Sequence, residues 1–214
     1  MIRERLSRIK NFLKKLLHRE EYIFSDIYRT DFWTQGSGPG STKENTVEYR
    51  KILQEYFNDP KYQTYVDLGC GDWQIMRLIN IPEDKMYKGY DIVQTVINDN
   101  KRDFAKDNVT FYHITKIDNI DPGDLLIIKD VLMHWPSDRI QYLIDAILPK
   151  FKYALITDGD DKNLLNTDID FGQWRPVDLT MSPFNAKNIK QIGEYKAHGV
   201  VKKIYFYTNP NELY

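Results

Sequence analysis

Apolar and polar positions change rhythm several times along the chain. Ile2, Leu6, Ile9, Leu13 and Leu16 recur at helical spacing, with Phe12 and Leu17 widening the stripe, which predicts an amphipathic helix over residues 1–20. A second helix is predicted from about Glu44 to Phe57, where Val47, Ile52, Leu53, Tyr56 and Phe57 are apolar. From Gln63 onward short apolar runs take over: Tyr65–Leu68, Met86–Tyr90, Val109–Ile114, Leu125–Ile128 and Tyr153–Thr157. The fourth run is apolar at every position, as a parallel strand covered on both faces requires. Behind it, Pro136 opens a helical pattern in which Ile140, Leu143, Ile144, Ile147 and Leu148 share one face. Strands alternating with helices predict right-handed βαβ units and a doubly wound sheet. The last part departs from that rhythm. Ile189–Lys196 and Lys202–Thr208 read as two strands joined through Ala197-His198-Gly199, an antiparallel hairpin.

Composition narrows the class. A chain of 214 residues with 42% hydrophobic and 29% charged residues fits one globular α/β domain with an appendage. Its net charge of −1 gives no long-range attraction to nucleic acid, so no nucleic-acid partner is expected. Cys70 is the single cysteine, which excludes an internal disulfide, makes a cysteine-based zinc site implausible and agrees with a cytoplasmic setting. No apolar run approaches the roughly 20 residues that span a bilayer. The first twenty residues carry seven cations (Arg3, Arg5, Arg8, Lys10, Lys14, Lys15, Arg19) against Glu4 and Glu20, a local charge of +5. That segment is expected to dock on the domain or on a second copy, or to lie on an anionic membrane surface.

Candidate chemistry gathers where strands end. The first strand runs into Asp67-Leu68-Gly69-Cys70-Gly71-Asp72. A strand ending in Gly-x-Gly brings backbone N–H groups, and the helix expected next, close to a ligand at the carboxyl edge of the sheet. Asp91 closes the second strand twenty residues after Gly71, where an acid can accept both hydroxyls of an adenosine ribose. The glycines stop at Gly71, and Asp67 and Asp72 would repel a pyrophosphate. They would instead stabilise the sulfonium and ammonium of S-adenosylmethionine. Upstream, Gln35-Gly36-Ser37-Gly38-Pro39-Gly40-Ser41-Thr42 excludes regular structure and allows close backbone approach to a ligand.

The Asp-x-Gly-x-Gly element, Asp91 and the terminal hairpin resemble class I S-adenosylmethionine-dependent methyltransferases, from about Tyr65 to Thr208. Within them the chain is similar to small methyltransferases with a Ser-Gly-Pro-Gly-Ser-Thr loop, an Asp-x-x-x-His element after strand four and a later Trp-Arg-Pro. Here these are Ser37–Thr42, Asp130–His134 and Trp174-Arg175-Pro176. The resemblance implies a Rossmann-like, seven-stranded α/β fold, mostly parallel with an antiparallel C-terminal hairpin. It implies S-adenosyl-L-methionine as cofactor, held by Asp67, Gly69, Gly71, Asp72, Asp91, Ile114, Ser41 and Thr42. Related domains occur in glycan-modifying systems, which implies a sugar or glycan acceptor. The family often has an acid after strand three for the adenine amino group, and His113 stands there instead. Either its ring or the backbone near Ile114 is expected to take that contact. The chain then divides into residues 1–20, a loop and helix over residues 21–62 covering the cofactor site, and the methyltransferase domain 63–214.

At the acceptor end, Asp130 and His134 lie four residues apart directly after strand four. If helical, they share a face, with imidazole as general base and Asp130 orienting it or binding the acceptor. Trp174 and Arg175 are the candidates for binding the acceptor, as aromatic faces with an arginine suit a sugar ring or an anion, and ordinary packing of this segment under the hairpin is the equal alternative. The acids Asp158, Asp160 and Asp161 could join Asp130 around Mg²⁺, but a solvated acidic turn is the favoured reading, and no metal is assigned. O-methylation of a hydroxylated small molecule is the leading expectation. N-methylation and a non-catalytic domain that only binds the cofactor remain as alternatives.

Overall fold

The computed structural model of this protein describes residues 19–160 and 166–212. The helix expected over residues 1–20 lies outside them except for Arg19 and Glu20, which open a different helix, α1 (Arg19–Thr30). The second helix, α2 (Val47–Asn58), starts three residues later than its apolar pattern suggests. Thr42 and Thr46 form a turn there, with Thr46 Oγ1 donating to the Thr42 carbonyl at 2.8 Å, and the helix begins after it.

Seven strands follow: β1 (Thr64–Leu68), β2 (Met86–Asp91), β3 (Val109–His113), β4 (Leu125–Lys129), β5 (Tyr153–Gly159), β6 (Ile189–Ala197) and β7 (Val200–Thr208). They form one sheet in the order β3-β2-β1-β4-β5-β7-β6. The first five are parallel, and β7 pairs antiparallel with both β5 and β6. The expected hairpin is present and tighter than anticipated. His198 and Gly199 both take positive φ (49° and 74°), the geometry of a two-residue turn that follows strand twist.

β4 explains the two-layer packing. Leu126 and Ile128 join Phe24 and Ile27 of α1 and Ile140 of α4 (Ser137–Tyr142) on one face of the sheet. Leu125 and Ile127 join Tyr49, Leu53 and Phe57 of α2 on the other. Alternate positions of a strand face opposite sides, so only an all-apolar run serves both cores. The helix expected behind Pro136 is α4, but it changes pitch. It widens to a π-turn at Leu143–Ile147 and tightens to a 3₁₀ turn at Leu148–Lys150, where Pro149 can supply no N–H.

One expected element is missing. After the Gly-x-Gly turn the chain makes a single 3₁₀ turn at Met76–Leu78 rather than an α-helix. The next α-helix, α3 (Gln94–Phe104), follows β2. Trp73, with φ of 58°, turns the chain so that its ring packs at 5.0–5.8 Å centroid distance from Phe104, Phe111 and Tyr87. A buried aromatic cluster thus replaces the helix as cover for this part of the sheet.

Candidate active site

The site is built where β1, β2 and β4 end, at the point where strand order reverses. The amides of Gly69 and Cys70 both donate to the Tyr90 carbonyl, at 2.8 and 3.0 Å, which folds the chain sharply back on β2. Gly69 and Gly71 take positive φ (77° and 55°). A Cβ on Gly69 would stand 2.5 Å from Val131 Cγ2, and one on Gly71 2.4 Å from Ser37 Oγ. Both positions therefore require glycine on backbone conformation and on space.

Asp91 anchors this turn. Its carboxylate accepts the Gly71 N–H at 3.0 Å and the Val93 N–H at 2.9 Å, while Asn100 Nδ2 donates to the Gly71 carbonyl at 2.7 Å. Burial raises the Asp91 pKa, and those two amides offset part of the rise. A carboxylate offers about four acceptor sites, so Asp91 still has capacity for a further hydroxyl donor. Asp67 accepts from the Tyr87 hydroxyl at 2.6 Å, and burial pushes its pKa up to about 7.

The glycine-rich upstream segment closes over the turn. Ser37 Oγ donates to Asp72 Oδ1 at 2.8 Å and lies 2.7 Å from the Tyr28 hydroxyl, which therefore donates to it. The Ser37 amide reaches Asp72 Oδ2 at 3.2 Å, and Gln74 Nε2 donates to the Gln35 carbonyl. A Cβ on Gly36 would lie 2.1 Å from Asp72 Oδ2, so this contact too depends on a glycine.

Together these elements enclose a cavity of about 420 Å³. Of the residues expected at the site, Ser41, Asp67, Gly69, Gly71, Asp72, Asp91, Ile114, Asp130, His134 and Trp174 line it. Three do not. His113 turns away, with Nε2 at 3.0 Å from the Ile92 carbonyl and 3.3 Å from Glu21, because α1 brings a carboxylate to that side of the strand end. Thr42 accepts from the Asn45 amide in the turn before α2. Arg175 is 1% exposed. Its guanidinium donates to the carbonyls of Thr167, Leu132 and Trp135 at 2.7–2.9 Å, fastening the segment after β4 to the long connection between β5 and β6.

The Asp130–His134 pair also behaves differently from expectation. The segment is a 3₁₀ turn (Leu132–His134), and Asp130 does not orient the imidazole. Asp130 instead bridges Lys129 at 2.7 Å and Lys202 at 3.1 Å. Burial opposes its ionisation, but the two ammonium groups outweigh this and hold the carboxyl well below the usual carboxylate range. His134 is oriented by the backbone: Nδ1 lies 2.9 Å from the Gln173 carbonyl and must carry the proton, leaving Nε2 as an acceptor. Its ring stacks on Trp33 with centroids 4.5 Å apart. Burial pushes its pKa down to about 4, so the ring is neutral throughout the physiological range.

Asp158, considered above for a metal, points one oxygen at the amides of Gly159 and Val177 and leaves Oδ2 buried without a partner among the described residues. Burial pushes its pKa up to about 8. Asp161 lies outside the described residues, and among the described residues no three acidic, histidine or cysteine side chains gather as metal ligands. The sequence reading missed Tyr49, Lys129 and Lys202, all of which line the cavity. Lys129, a charge at the end of an otherwise apolar strand, was the signal available for one of them.

No protein-family model and no curated protein sequence matches the chain. Solved structures do match. The N-methyltransferase NodS from Bradyrhizobium japonicum WM9, in complex with S-adenosyl-L-homocysteine, aligns over 79% of this chain and 89% of its own, with TM-score 0.59 at 10% identity. This protein has the class I methyltransferase fold. The methyltransferase domain of bacterial CtHen1 aligns over 75% of this chain and 97% of that one, with TM-score 0.55 at 13% identity. Magnesium protoporphyrin IX methyltransferase from Synechocystis PCC 6803, with S-adenosylmethionine bound, gives TM-score 0.53 at 13% identity over 74% and 77%. Within that fold, a single 3₁₀ turn follows the Gly-x-Gly element here, and the upstream loop is pinned to Asp72.

Proposed function

We propose that this protein is an S-adenosylmethionine-dependent O-methyltransferase acting on a sugar or other hydroxylated small molecule. The observation that carries the reading is the Gly69–Gly71 turn, locked onto Asp91 and opening into a cavity that His134 also lines. The cofactor fits the residues present: two glycines leave room for close backbone approach, Asp91 offers its remaining acceptor capacity to a ribose hydroxyl, and Asp67 and Asp72 suit a cationic tail. The missing helix strengthens the choice against a dinucleotide, because a pyrophosphate would find no helix N-terminus here.

When bound, S-adenosylmethionine supplies an electrophilic methyl whose C–S bond breaks with its electron pair passing to sulfur. This chain aligns the acceptor against that methyl and receives one proton. Alignment can account for much of the acceleration. His134 Nε2 takes the proton of the acceptor hydroxyl. A base near pKa 4 suffices, because the oxygen becomes strongly acidic as its bond to carbon forms. Trp174, 44% exposed on the cavity wall, offers a face for an acceptor ring.

The test is calorimetry with S-adenosylmethionine, S-adenosylhomocysteine and NADH, followed by transfer of labelled methyl to pooled hydroxylated acceptors. The first two ligands should bind, and Asp91→Ala should weaken both by about 1.5–3 kcal/mol, typical of losing hydrogen bonds to a charged acceptor. Tight NADH binding without S-adenosylmethionine binding would refute the reading.

A further inference from the structure

The acceptor end of the cavity holds a charge arrangement that methyl transfer to a neutral hydroxyl does not require. Lys129 and Lys202 flank one carboxylate, Asp130, and all three line the cavity. Both lysine side chains are only 8% exposed. Lys129 comes from β4 and Lys202 from β7, so two separate strands deliver cations to one point. Two ammonium groups around one carboxylate leave one positive charge over, in a place where an uncompensated ion is costly. The neighbouring groups do not cancel it. His134 is neutral, and burial keeps the Asp158 carboxyl protonated up to about pH 8. Asp67 also faces Lys129, but burial raises its pKa to about 7, so it offsets the surplus only in part at neutral pH.

A second observation points the same way. The Tyr49 hydroxyl, on a residue 1% exposed that lines the cavity, has no hydrogen-bond partner among the described residues. The Lys129 ammonium lies 5.7 Å from the centre of the Tyr49 ring. A buried hydroxyl without a partner costs stability unless a ligand supplies one. An idle donor beside a surplus cation suits an oxyanion.

Resting on the methyltransferase reading above, we propose that the acceptor carries an oxyanion, a carboxylate or a phosphate, bound by Lys129, Lys202 and the Tyr49 hydroxyl. The anchored anion presents its hydroxyl to the methyl donor, and it discriminates acidic acceptors from neutral sugars of the same shape.

Calorimetry with S-adenosylhomocysteine tests the methyltransferase reading by itself. Glucose, glucuronate and glucose 6-phosphate are then titrated into both the free and the S-adenosylhomocysteine-loaded protein at constant ionic strength. At least one acidic sugar should bind about tenfold or more tightly than glucose, the scale of charge-assisted hydrogen bonds, and the preferred acid separates carboxylate from phosphate. Lys202→Met and Tyr49→Phe should each remove most of that preference. Tyr49→Phe keeps the ring and deletes a hydroxyl that bonds to nothing among the described residues, so it folds as the parent does. Glucose binding as well as the acids, acids binding equally to both variants, or no binding by any of the three would overturn the oxyanion site, whatever S-adenosylhomocysteine does.

Discussion

Acidification of a His134→Asn variant isolates the histidine at the centre of the proposed chemistry. An unfolded histidine takes its proton near 6.5, whereas His134 holds out to about 4 in the folded protein. Between those values the unfolded chain binds more protons, so the contribution of His134 to stability is complete above pH 6.5 and is lost as pH falls toward 4. A difference of 2.5 units at 1.36 kcal/mol each gives about 3 kcal/mol, reduced to roughly 2 because the ring is partly accessible to solvent. Asp67 and Asp158 act with the opposite sign, since carboxyls raised to about 7 and about 8 stabilise the fold at low pH and lose that contribution as pH rises through those values. The wild-type curve alone therefore mixes all three. The difference between wild type and His134→Asn in urea unfolding, measured from pH 8 to pH 4, removes the carboxylates, and it should shrink by about 2 kcal/mol across that window. A difference independent of pH would mean that the imidazole titrates normally, and the assignment of a buried neutral ring would fail. The same ring sets the rate profile. Methyl transfer should stay flat from pH 7.5 down to about 5 with respect to this group, because Nε2 is already free.

Other perturbations follow from the same geometry. His134→Ala should lower kcat by roughly 10²–10⁴-fold, the usual range for loss of a base, with cofactor affinity almost unchanged. A near wild-type kcat would leave alignment alone to explain the rate. Arg175→Ala should cost about 3–5 kcal/mol of stability in denaturant unfolding, since three buried carbonyls lose a charged donor. An unchanged unfolding midpoint with a raised KM would return Arg175 to acceptor binding. Gly71→Ala should abolish S-adenosylhomocysteine binding in calorimetry, because the added Cβ meets Ser37 Oγ at 2.4 Å; unaltered affinity would show that the loop yields freely. Asp158→Asn should remove part of the stability loss between pH 4 and pH 8, and an unchanged slope would mean that Asp158 is ionised throughout.

The sheet was legible because its strands are short apolar runs with few competing readings. Leu125–Ile128, apolar on every face, could hardly be anything but a central strand, and the two-residue turn at His198-Gly199 lay inside the expected connection. Elements held by tertiary contacts were harder. Nothing local marks the chain after Gly71 as non-helical; Trp73 makes it so by packing against rings from β2, β3 and α3. The glycines and acids of the candidate site were readable because backbone geometry demands those residue types there. Arg175 and His113 each have chemistry suited to a ligand as well as to packing, and only the fold reveals that protein groups already satisfy it. Tyr49 was missed for the converse reason. An aromatic on a helix reads as core, and its idle hydroxyl shows only once its surroundings are assembled.

The hydrogen bonds joining Ser37 to Asp72 have a kinetic meaning. A ligand seated on the Gly69–Gly71 turn lies behind a strap drawn from 35 residues upstream, fixed at the turn by Ser37 and at the other end of the cavity by the Gly40 carbonyl on Lys129. Exit along that side requires these fastenings to open. If the proposed function holds, the residence time of the spent cofactor is governed by how often the strap lifts, and turnover is limited by opening rather than by methyl transfer. A Ser37→Ala protein that releases S-adenosylhomocysteine faster while its single-turnover rate stays constant would show the strap acting as a clock.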